Sequence, residues 1–154
     1  NLVNVTTADE MYSACIDKFK EADITIMSAA VADYTPINKA DEKIKKKEGS
    51  LNVELTKTKD ILKALGEKKK KGQILVGFAL ETNNEEAYAN QKLKEKNADL
   101  IVLNSLNDTG AGFGYDTNKI TIFERGGKVY KFETNSKSEV AKDIIDTITQ
   151  LYYA

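Results

Sequence analysis

Short, almost unbroken apolar runs, separated by helix-like segments, are the feature that most restricts the folds open to this chain. The runs occupy Asp23–Ser28, Ile74–Leu80 and Leu100–Leu103. Strands covered on both faces have continuous apolar sequence, whereas strands with one solvated face alternate apolar and polar residues. The order strand, helix, strand, helix, strand with such runs predicts an α/β fold in layers around a mainly parallel sheet.

Helical segments fill the intervals between these runs. Thr7 and Glu10 form a capping-box pattern, in which each side chain accepts a hydrogen bond from the other residue's backbone amide. Apolar residues at four-residue spacing behind this box predict an amphipathic helix that ends near Lys20. Three further helices are predicted, at residues 60–70, at residues 84–96 and from Asn135 or Ser136 onward, the last with an apolar stripe of Val140, Ile144, Ile145, Ile148 and Leu151.

The C-terminal half adds an antiparallel hairpin to this pattern. Its strands are predicted at Ile120–Phe123 and Val129–Phe132, with a turn at Gly126-Gly127, because paired glycines favour tight turns. No glycine-rich dinucleotide-binding turn opens a helix, since Gly110–Gly114 leads into a strand. We therefore expect residues 1–154 to form one Rossmann-like three-layer domain with the hairpin appended, in which the usual first strand and its glycine-rich turn are missing.

Composition restricts the chemistry that such a domain can perform. The chain of 154 residues contains no histidine and one cysteine, Cys15. Catalysis by Ser-His-Asp or Cys-His pairs, His-based metal sites and thiolate metal clusters are therefore excluded, and no metal site formed by the protein is expected. Lysines, carboxylates, hydroxyls and backbone amides remain, and these groups suit charge stabilisation around phosphates. Cys15 is predicted to be a buried core residue on the first helix.

Charge and hydropathy restrict the partners. The formal net charge of −1 provides no general attraction to nucleic acid or to an anionic membrane. No apolar stretch approaches the roughly 18 residues that a membrane-spanning helix needs. A single cysteine is typical of a reducing compartment, so we expect a cytoplasmic protein with no nucleic-acid or membrane partner.

Small residues and a carboxylate follow the first apolar run, in the order Ala29-Ala-Val-Ala-Asp33. Small residues at the carboxyl end of a parallel strand let a ligand approach the backbone closely. Asp33 could then accept hydrogen bonds from ribose hydroxyls or from a base amino group. The alternative is a core strand whose alanines pack under a helix while Asp33 caps a turn.

Two groups of lysines are candidates for binding phosphate. Lys43-Ile-Lys-Lys46 lies in a predicted loop, where cations can close over a polyphosphate and neutralise charge that develops at phosphorus. Lys92 and Lys96 lie four residues apart on one helix face, from which both can contact a triphosphate. The alternative for both groups is an ordinary solvated surface.

The second apolar run contains Gly77 followed by Phe78. A glycine inside a strand marks the close approach of a ligand or another backbone, and a phenylalanine can stack on a nucleobase. The alternative is that Phe78 is an ordinary core residue. All of these candidates are predicted at strand ends along one edge of the sheet, an arrangement that favours a nucleotide site.

Taken in order, these motifs resemble phosphopantothenoylcysteine synthetase. The matching stretches are Ala29–Tyr34, Lys43–Lys46, Thr56–Ile61, Gly77–Thr82, Leu100–Asn104 and Gly112–Asn118. In bacteria this enzyme is usually the C-terminal half of a fused coenzyme A biosynthesis protein whose N-terminal half is a flavin-dependent decarboxylase, so the resemblance implies FMN only in that other half. Family members have an upstream glycine-rich turn and an asparagine with no counterpart in this chain. We therefore expect a fragment that is incomplete for catalysis.

The resemblance implies a CTP-dependent ligation. The carboxylate of 4′-phosphopantothenate attacks the α-phosphate of CTP and releases pyrophosphate, and the amine of cysteine then displaces CMP from the acyl-cytidylate to form an amide. Mg²⁺ is expected to bridge the triphosphate, and the family implies a homodimer.

The resemblance also implies roles for individual residues. Lys43 would stabilise the acyl-cytidylate, Asp33 would hold the nucleotide and Phe78 would pack near it. Phosphates would be bound by Lys92 and Lys96. Backbone contacts to the nucleotide would come from Met27, Ser28, Ala29 and Ala30, and the base would be framed by Thr56, Lys57, Thr58 and Lys59. Family members commonly have Asn-Pro in place of the last two of these residues.

Two other classes of function remain open on the sequence. A nicotinamide-linked oxidoreductase shares the α/β pattern but is disfavoured because the dinucleotide-binding turn is absent. A nucleotide-binding or protein-interaction module without enzymatic activity could dimerise through the hairpin and the glycine-rich loop.

Overall fold

The computed structural model describes residues 1–38, 40, 42–45, 49–81, 83–105 and 114–153. Its helices are α1 (Ala8–Phe19), α2 (Ile61–Lys68), α3 (Glu85–Glu95) and α4 (Lys137–Tyr152). Its strands are β1 (Ile24–Met27), β2 (Tyr34–Pro36), β3 (Leu55–Lys57), β4 (Ile74–Glu81), β5 (Leu100–Ser105), β6 (Thr117–Asn118), β7 (Ile120–Glu124), β8 (Val129–Lys131) and β9 (Asn135–Ser136). Of the residues singled out from the sequence, Lys46, Thr82 and 110–113 lie outside the described residues.

The central sheet has five strands in the order β1, β4, β5, β7, β8. β1, β4 and β5 are parallel, with Met27 opposite Gly77 and Gly77 opposite Ile101. β7 and β8 are antiparallel and form the predicted hairpin around Gly126-Gly127. The α/β class, the mainly parallel centre and the appended hairpin are thereby confirmed. Two small antiparallel pairs, β2 with β3 and β6 with β9, were not predicted.

Helices cover both faces of this sheet. α4 packs on one face through Val140, Ile144 and Ile148, against buried side chains of β4, β5 and β7. α1, α2 and α3 lie against the other face, where Leu65 and Leu75 are fully buried. Burial on both faces explains why the sequences of β4 and β5 lack polar alternation. Within the described parts of the chain, none of the helices has the length and apolar character needed to cross a membrane.

β1 departs from the predicted strand with both faces covered. It lies at the edge of the sheet, and Ile24 and Ile26 are 39% and 37% exposed. These two residues are in register with Ile74 and Val76, which face α4. Among the described residues, however, the buried cluster against α4 contains none from β1. Apolar sequence therefore identified the strand but not its position in the sheet.

The apolar stripe on α4 is narrower than predicted. Val140, Ile144 and Ile148 are buried and Leu151 is half-buried, whereas Ile145 is 50% exposed. One residue step turns a helical side chain by about 100°, which carries Ile145 off the face that meets the sheet.

Local capping signals determine where the helices begin. The Thr7 hydroxyl accepts from the Glu10 amide at 3.2 Å, and a Glu10 carboxylate oxygen accepts from the Thr7 amide at 3.1 Å. The predicted capping box is thus confirmed, and α1 ends beside Lys20 as predicted. At the start of α4, the Ser136 hydroxyl accepts from the Glu139 amide at 3.2 Å.

Cys15 lies on α1 and is half-buried rather than fully buried. It packs against the core cluster that contains Phe19 and Leu65. Burial raises the pKa of the Cys15 thiol, which keeps it protonated and weakly nucleophilic near neutral pH.

Candidate functional site

A hollow of about 490 Å³ lies at the carboxyl ends of β1 and β4, and we call it the strand-end hollow. Open α/β sheets bind their ligands outside this edge of the sheet. Its walls come from the loop after β1, the segment that leads into α2, β4 and the end of α3. The predicted site residues that line it are Met27, Ala29, Asp33, Lys57, Thr58, Lys59, Phe78, Lys92 and Lys96.

Other predicted site residues lie outside the strand-end hollow. Ser28 lines a separate hollow of about 300 Å³ beside α1. Ala30, Lys43 and Thr56 are exposed and line neither hollow. Lys43 is thus not part of the lining of the strand-end hollow, and its catalytic role stays a prediction.

Hydrogen bonds attach the loop after β1 to the segment that leads into α2. The Thr58 hydroxyl donates to the Ala32 carbonyl at 2.7 Å, and the Thr58 amide donates to the Asp33 carbonyl at 2.9 Å. β2 and β3 extend this contact, with Tyr34 opposite Lys57. These nonlocal bonds bring the small-residue motif next to the residues predicted to frame the base.

The Asp33 side chain is exposed and makes no hydrogen bond or ion pair among the described residues. Ala29, Ala30 and Ala32 are exposed as well. The alternative in which the alanines pack under a helix while Asp33 caps a turn is therefore wrong. The carboxylate is left accessible as an acceptor at the rim of the strand-end hollow.

An acidic residue that the sequence analysis missed pairs with one of the predicted lysines. The Lys96 ammonium is 2.6 Å from Asp60 Oδ2, and the two side chains are 19% and 45% exposed. Asp60 Oδ1 accepts from the Lys63 amide at 2.9 Å and so caps α2. Partial burial acts to raise the pKa of Asp60, but the Lys96 hydrogen bond, the Lys63 amide and the charges of Lys96 and Lys92 hold that pKa below its ordinary value. The carboxylate is therefore ionised near neutral pH.

The wall contains further residues that the sequence analysis did not assign to it, namely Val31, Tyr34, Asp60, Ile61 and Leu62. An aspartate directly before an apolar run is readable as a helix N-cap. Its pairing with a lysine 36 positions away has no local signal.

Lys59 connects α1 with the strand-end hollow. Its ammonium lies 3.1 Å from Asp9 Oδ1 and 4.9 Å from the centroid of the Tyr12 ring. The Lys59 and Asp9 side chains are 59% and 75% exposed, and ion pairs with that exposure are weak. The Lys59 ammonium can therefore turn to an anionic ligand in the hollow. Lys57 and Lys92 make no ion pair among the described residues.

Gly77 serves helix packing rather than ligand binding. A Cβ at this position would lie 2.5 Å from Leu62 Cδ2 and 3.0 Å from Ile101 Cδ1. The prediction that this glycine marks the approach of a ligand or another backbone is therefore wrong, because it makes room for a side chain of α2. Phe78 borders the hollow and also packs against the core cluster that α4 covers.

A larger hollow of about 670 Å³ lies at the amino ends of β4 and β5, and we call it the opposite hollow. Asp99 in its wall accepts from the Lys69 ammonium at 2.6 and 2.7 Å and from the Leu75 amide at 2.8 Å. Arg125 donates from Nε and Nη2 to the Ala98 carbonyl at 3.0 and 2.8 Å. These polar groups satisfy one another. None of the predicted site residues, all of which the structure describes, lines this hollow.

No group of three or more acidic or thiol side chains is arranged to hold a metal ion within the described ranges. A magnesium ion that accompanies a nucleoside triphosphate takes most of its ligands from phosphate oxygens and water, with one or two carboxylates. The accessible carboxylate of Asp33 at the rim is a donor of that kind.

Comparison with known proteins decides the family. A family model described as the DNA/pantothenate metabolism flavoprotein C-terminal domain matches residues 1–152. The chain belongs to this family. It is 48% identical over 149 residues to the coenzyme A biosynthesis bifunctional protein CoaBC of Bacillus subtilis (strain 168), across 97% of this chain and 36% of that relative. It is 51% identical over 153 residues to a protein of an unknown prokaryotic organism named cysteine/cysteine sulfinic acid decarboxylase, across 99% of this chain and 43% of that relative.

Solved structures share the fold of this family member. The C-terminal domain of CoaBC matches with a TM-score of 0.78 and 40% identity, across 97% of this chain and 64% of that chain. A Cab2 mutant in complex with phosphopantothenate-cysteine matches with a TM-score of 0.73 and 19% identity, across 99% of this chain and 53% of that chain, a likeness that shows the fold alone. The resemblance read from the motifs is confirmed for family and fold. The chain spans less than half the length of the two curated relatives.

Proposed function

We propose that this chain forms the nucleotide-binding part of a CTP-dependent phosphopantothenate–cysteine ligase of coenzyme A biosynthesis. Membership of the family and the CoaBC relatives support the biosynthetic setting. One observation carries the nucleotide assignment: Asp33, Phe78, Lys92 and Lys96 reach the same hollow from three separate segments of the chain. An acceptor, an aromatic ring and cations around one cavity match the parts of a nucleotide.

In the proposed reaction, a carboxylate oxygen of 4′-phosphopantothenate forms a bond to the α-phosphorus of CTP while the bond to the pyrophosphate group breaks. The cysteine amine then attacks the acyl carbon of the acyl-cytidylate, CMP leaves with the bonding electrons, and the nitrogen loses a proton as the amide forms. Displacement at phosphorus depends on positioning and charge neutralisation, so a chain without histidine is suited to it.

The charge balance of the strand-end hollow supports a polyanionic ligand. Its wall has ammonium groups from Lys57, Lys59, Lys92 and Lys96 and carboxylates from Asp33 and Asp60. This excess of positive charge suits a triphosphate, because opposite charges attract. We assign phosphate binding to Lys92 and Lys96 and hydrogen bonding to the ribose or base to Asp33.

Lys43 is exposed and lies outside the hollow, and its proposed role on the acyl-cytidylate depends on the family resemblance. In the full-length protein, Lys43→Gln is expected to lower kcat far more than CTP affinity, because a group that acts on the intermediate contributes little to ground-state binding. Equal losses in both quantities would reassign Lys43 to ground-state binding.

The proposal also specifies partners and surroundings. 4′-Phosphopantothenate and cysteine would be the other substrates, and Mg²⁺ would accompany CTP. The enzyme would be a cytoplasmic homodimer, with FMN confined to a decarboxylase region outside the segment matched in CoaBC, which is 36% of that relative.

Isothermal titration calorimetry of the chain with CTP, ATP and NAD in the presence of Mg²⁺ tests nucleotide binding. We expect CTP to bind more tightly than ATP and NAD not to bind, whereas a preference for NAD would favour the oxidoreductase reading and overturn the proposal. The ligase step is tested by CMP release from the full-length protein with 4′-phosphopantothenate and cysteine. Release of CO₂ from cysteine sulfinic acid without CMP release would instead favour the activity named for one relative.

A further inference from the structure

Lys96 is fixed to α2 at both its backbone and its side chain. At the backbone, the contact is with Gly66 in the middle of α2, where an added Cβ would clash with the Lys96 carbonyl oxygen. The Asn97 amide group donates to the Gly66 carbonyl at 2.7 Å, and Asn97 has a left-handed φ of 51°. We call this contact between α2 and the end of α3 the α2–α3 seam. It fixes the point from which the Lys96 side chain starts.

At the other end, the Lys96 ammonium meets Asp60 Oδ2 at 2.6 Å. The Asp60 side chain has little freedom of its own, because its second oxygen caps α2 through the Lys63 amide at 2.9 Å. A lysine side chain has many rotamers, and fixing them costs conformational entropy on binding. A carboxylate held by a helix end can impose that order before a ligand arrives.

We propose that Asp60 is a positioning residue for phosphate binding, whose capping carboxylate holds the Lys96 ammonium in the strand-end hollow ready for the triphosphate. The inference rests on the proposed function. Asp60 acts through Lys96 and needs no contact with the nucleotide.

A count of the charges alone predicts the opposite effect of Asp60 on the affinity for triphosphate. Asp60 lies in the wall of the hollow, so its negative charge repels a triphosphate, and its removal should tighten binding. If Asp60 instead positions Lys96, removal of the Asp60 carboxylate should weaken binding of the triphosphate. Lys92 and Lys96 are also like charges four residues apart on one helix, an arrangement that drives the two ammonium groups apart unless a carboxylate lies between them. The sign of the change in affinity therefore separates the two accounts.

The deciding variant is Asp60→Asn, because asparagine retains an N-cap acceptor while the negative charge is lost. We expect the Kd for CTP and for inorganic tripolyphosphate to rise about five- to thirtyfold, as for loss of a charge-assisted contact. In the full-length protein, KM for CTP should rise with little change in kcat, because the contact is equal in ground and transition states. Unchanged or tighter binding would overturn the inference.

A double-mutant cycle tests whether Asp60 acts through Lys96. In a Lys96→Met background, Asp60→Asn should change the tripolyphosphate Kd by less than about twofold, whereas a full additional loss would overturn the positioning role. Asp60→Ser also keeps a cap acceptor. It should show the same loss of affinity as Asp60→Asn if the loss is caused by removal of the carboxylate and not by the asparagine side chain. Asp17→Asn, at an exposed ion pair on α1, controls for net charge and should leave affinity unchanged.

The same measurements separate the two proposals. Failure of the unaltered chain to bind CTP would overturn the proposed function and the inference with it. CTP binding that is unaffected by substitution of Asp60 would overturn the inference alone.

Discussion

The strand-end hollow and the opposite hollow lie at opposite ends of the strands of one sheet, yet their charged residues have different partners. In the opposite hollow, Asp99 is surrounded by Lys69, the Leu75 amide and Arg125, all within the protein. In the strand-end hollow, Lys57 and Lys92 have no ion-pair partner among the described residues, and the Asp33 carboxylate has none either. The larger cavity therefore contains charge that stabilises the fold, and the smaller one contains charge available to a ligand. Cavity size alone would have selected the opposite hollow, which none of the predicted site residues lines.

The largest expected effect tests the α2–α3 seam that supports one wall of the strand-end hollow. Gly66→Ala should lower the free energy of unfolding by about 2–4 kcal/mol, because the new methyl group meets a backbone carbonyl that cannot turn aside. Urea denaturation measures the change. Gly126→Ala is the matched control, since its Cβ would meet only the flexible end of the Glu124 side chain. Equal losses for the two variants would show that the seam has no special role.

Breaking the charge network of the opposite hollow comes next. Asp99→Asn leaves the Lys69 ammonium, whose side chain is 11% exposed, without its counter-ion, and should lower the free energy of unfolding by about 2–3 kcal/mol. CTP affinity at temperatures where the variant is folded should stay within a factor of about two of the unaltered chain. A large loss of affinity would mean that the two hollows are coupled, and the contrast drawn above would fail.

At the strand-end hollow, by contrast, we expect a substitution to change ligand affinity and to leave stability almost unaltered. Lys92→Met should raise the Kd for CTP about tenfold, as loss of one cationic phosphate contact does, while the free energy of unfolding changes by less than about 0.5 kcal/mol. Calorimetry and urea denaturation of the same preparation measure both. Lys94→Met, on the same helix but outside the hollow and exposed, is the control and should change neither quantity. Loss of affinity in both variants would indicate a diffuse surface effect instead of a site.

The smallest effect is the pH dependence of Asp60. Its pKa is below the ordinary value of 3.8 in the folded chain, so its ion pair and cap add stability that is fully present above pH 3.8 and is lost as the pH falls through the lower folded pKa. Since Asp60 is 45% exposed, the pH-dependent difference in unfolding free energy from Asp60→Asn should be below about 1 kcal/mol. Denaturation curves between pH 2 and pH 7 measure it. A difference that grows in acid would contradict the assigned direction of the pKa shift.

Features specified by near neighbours in the sequence were predicted well. The Thr7 and Glu10 capping box, the start of α4 at Ser136 and the two central strands with largely buried residues each depend on residues a few positions apart or on one continuous run. Such patterns carry their physical cause within the local sequence. The order of elements followed from them.

Features that depend on distant partners were missed or misread. β1 was predicted to be covered on both faces because its sequence is apolar, yet it lies at the edge of the sheet and Ile24 and Ile26 are partly exposed. Gly77 was predicted to mark the approach of a ligand or another backbone, whereas a Cβ there would meet the Leu62 side chain of α2. The pairing of Asp60 with Lys96 joins two helices and has no sequence period.

The motifs that resemble a known family located more of the site than the physical patterns did. The physical patterns had already placed Asp33, Phe78, Lys92 and Lys96 along one edge of the sheet. The resemblance added residues that share the same hollow with them, namely Met27, Lys57, Thr58 and Lys59. Lys43 was also assigned to this group, but it is exposed and does not line the hollow. The order of the motifs thus identified residues in the walls of the hollow, which the fold holds in place.

The close packing at Gly66 would limit how the proposed site discriminates among ligands. Since not even one methyl group fits between the two helices, they cannot move closer together around a smaller ligand. Selection by the number of phosphates would therefore depend on the position of the main chain. Substitution of side chains at the rim would change it little. Preference among nucleobases has no such constraint, and it is the property that substitution can retune.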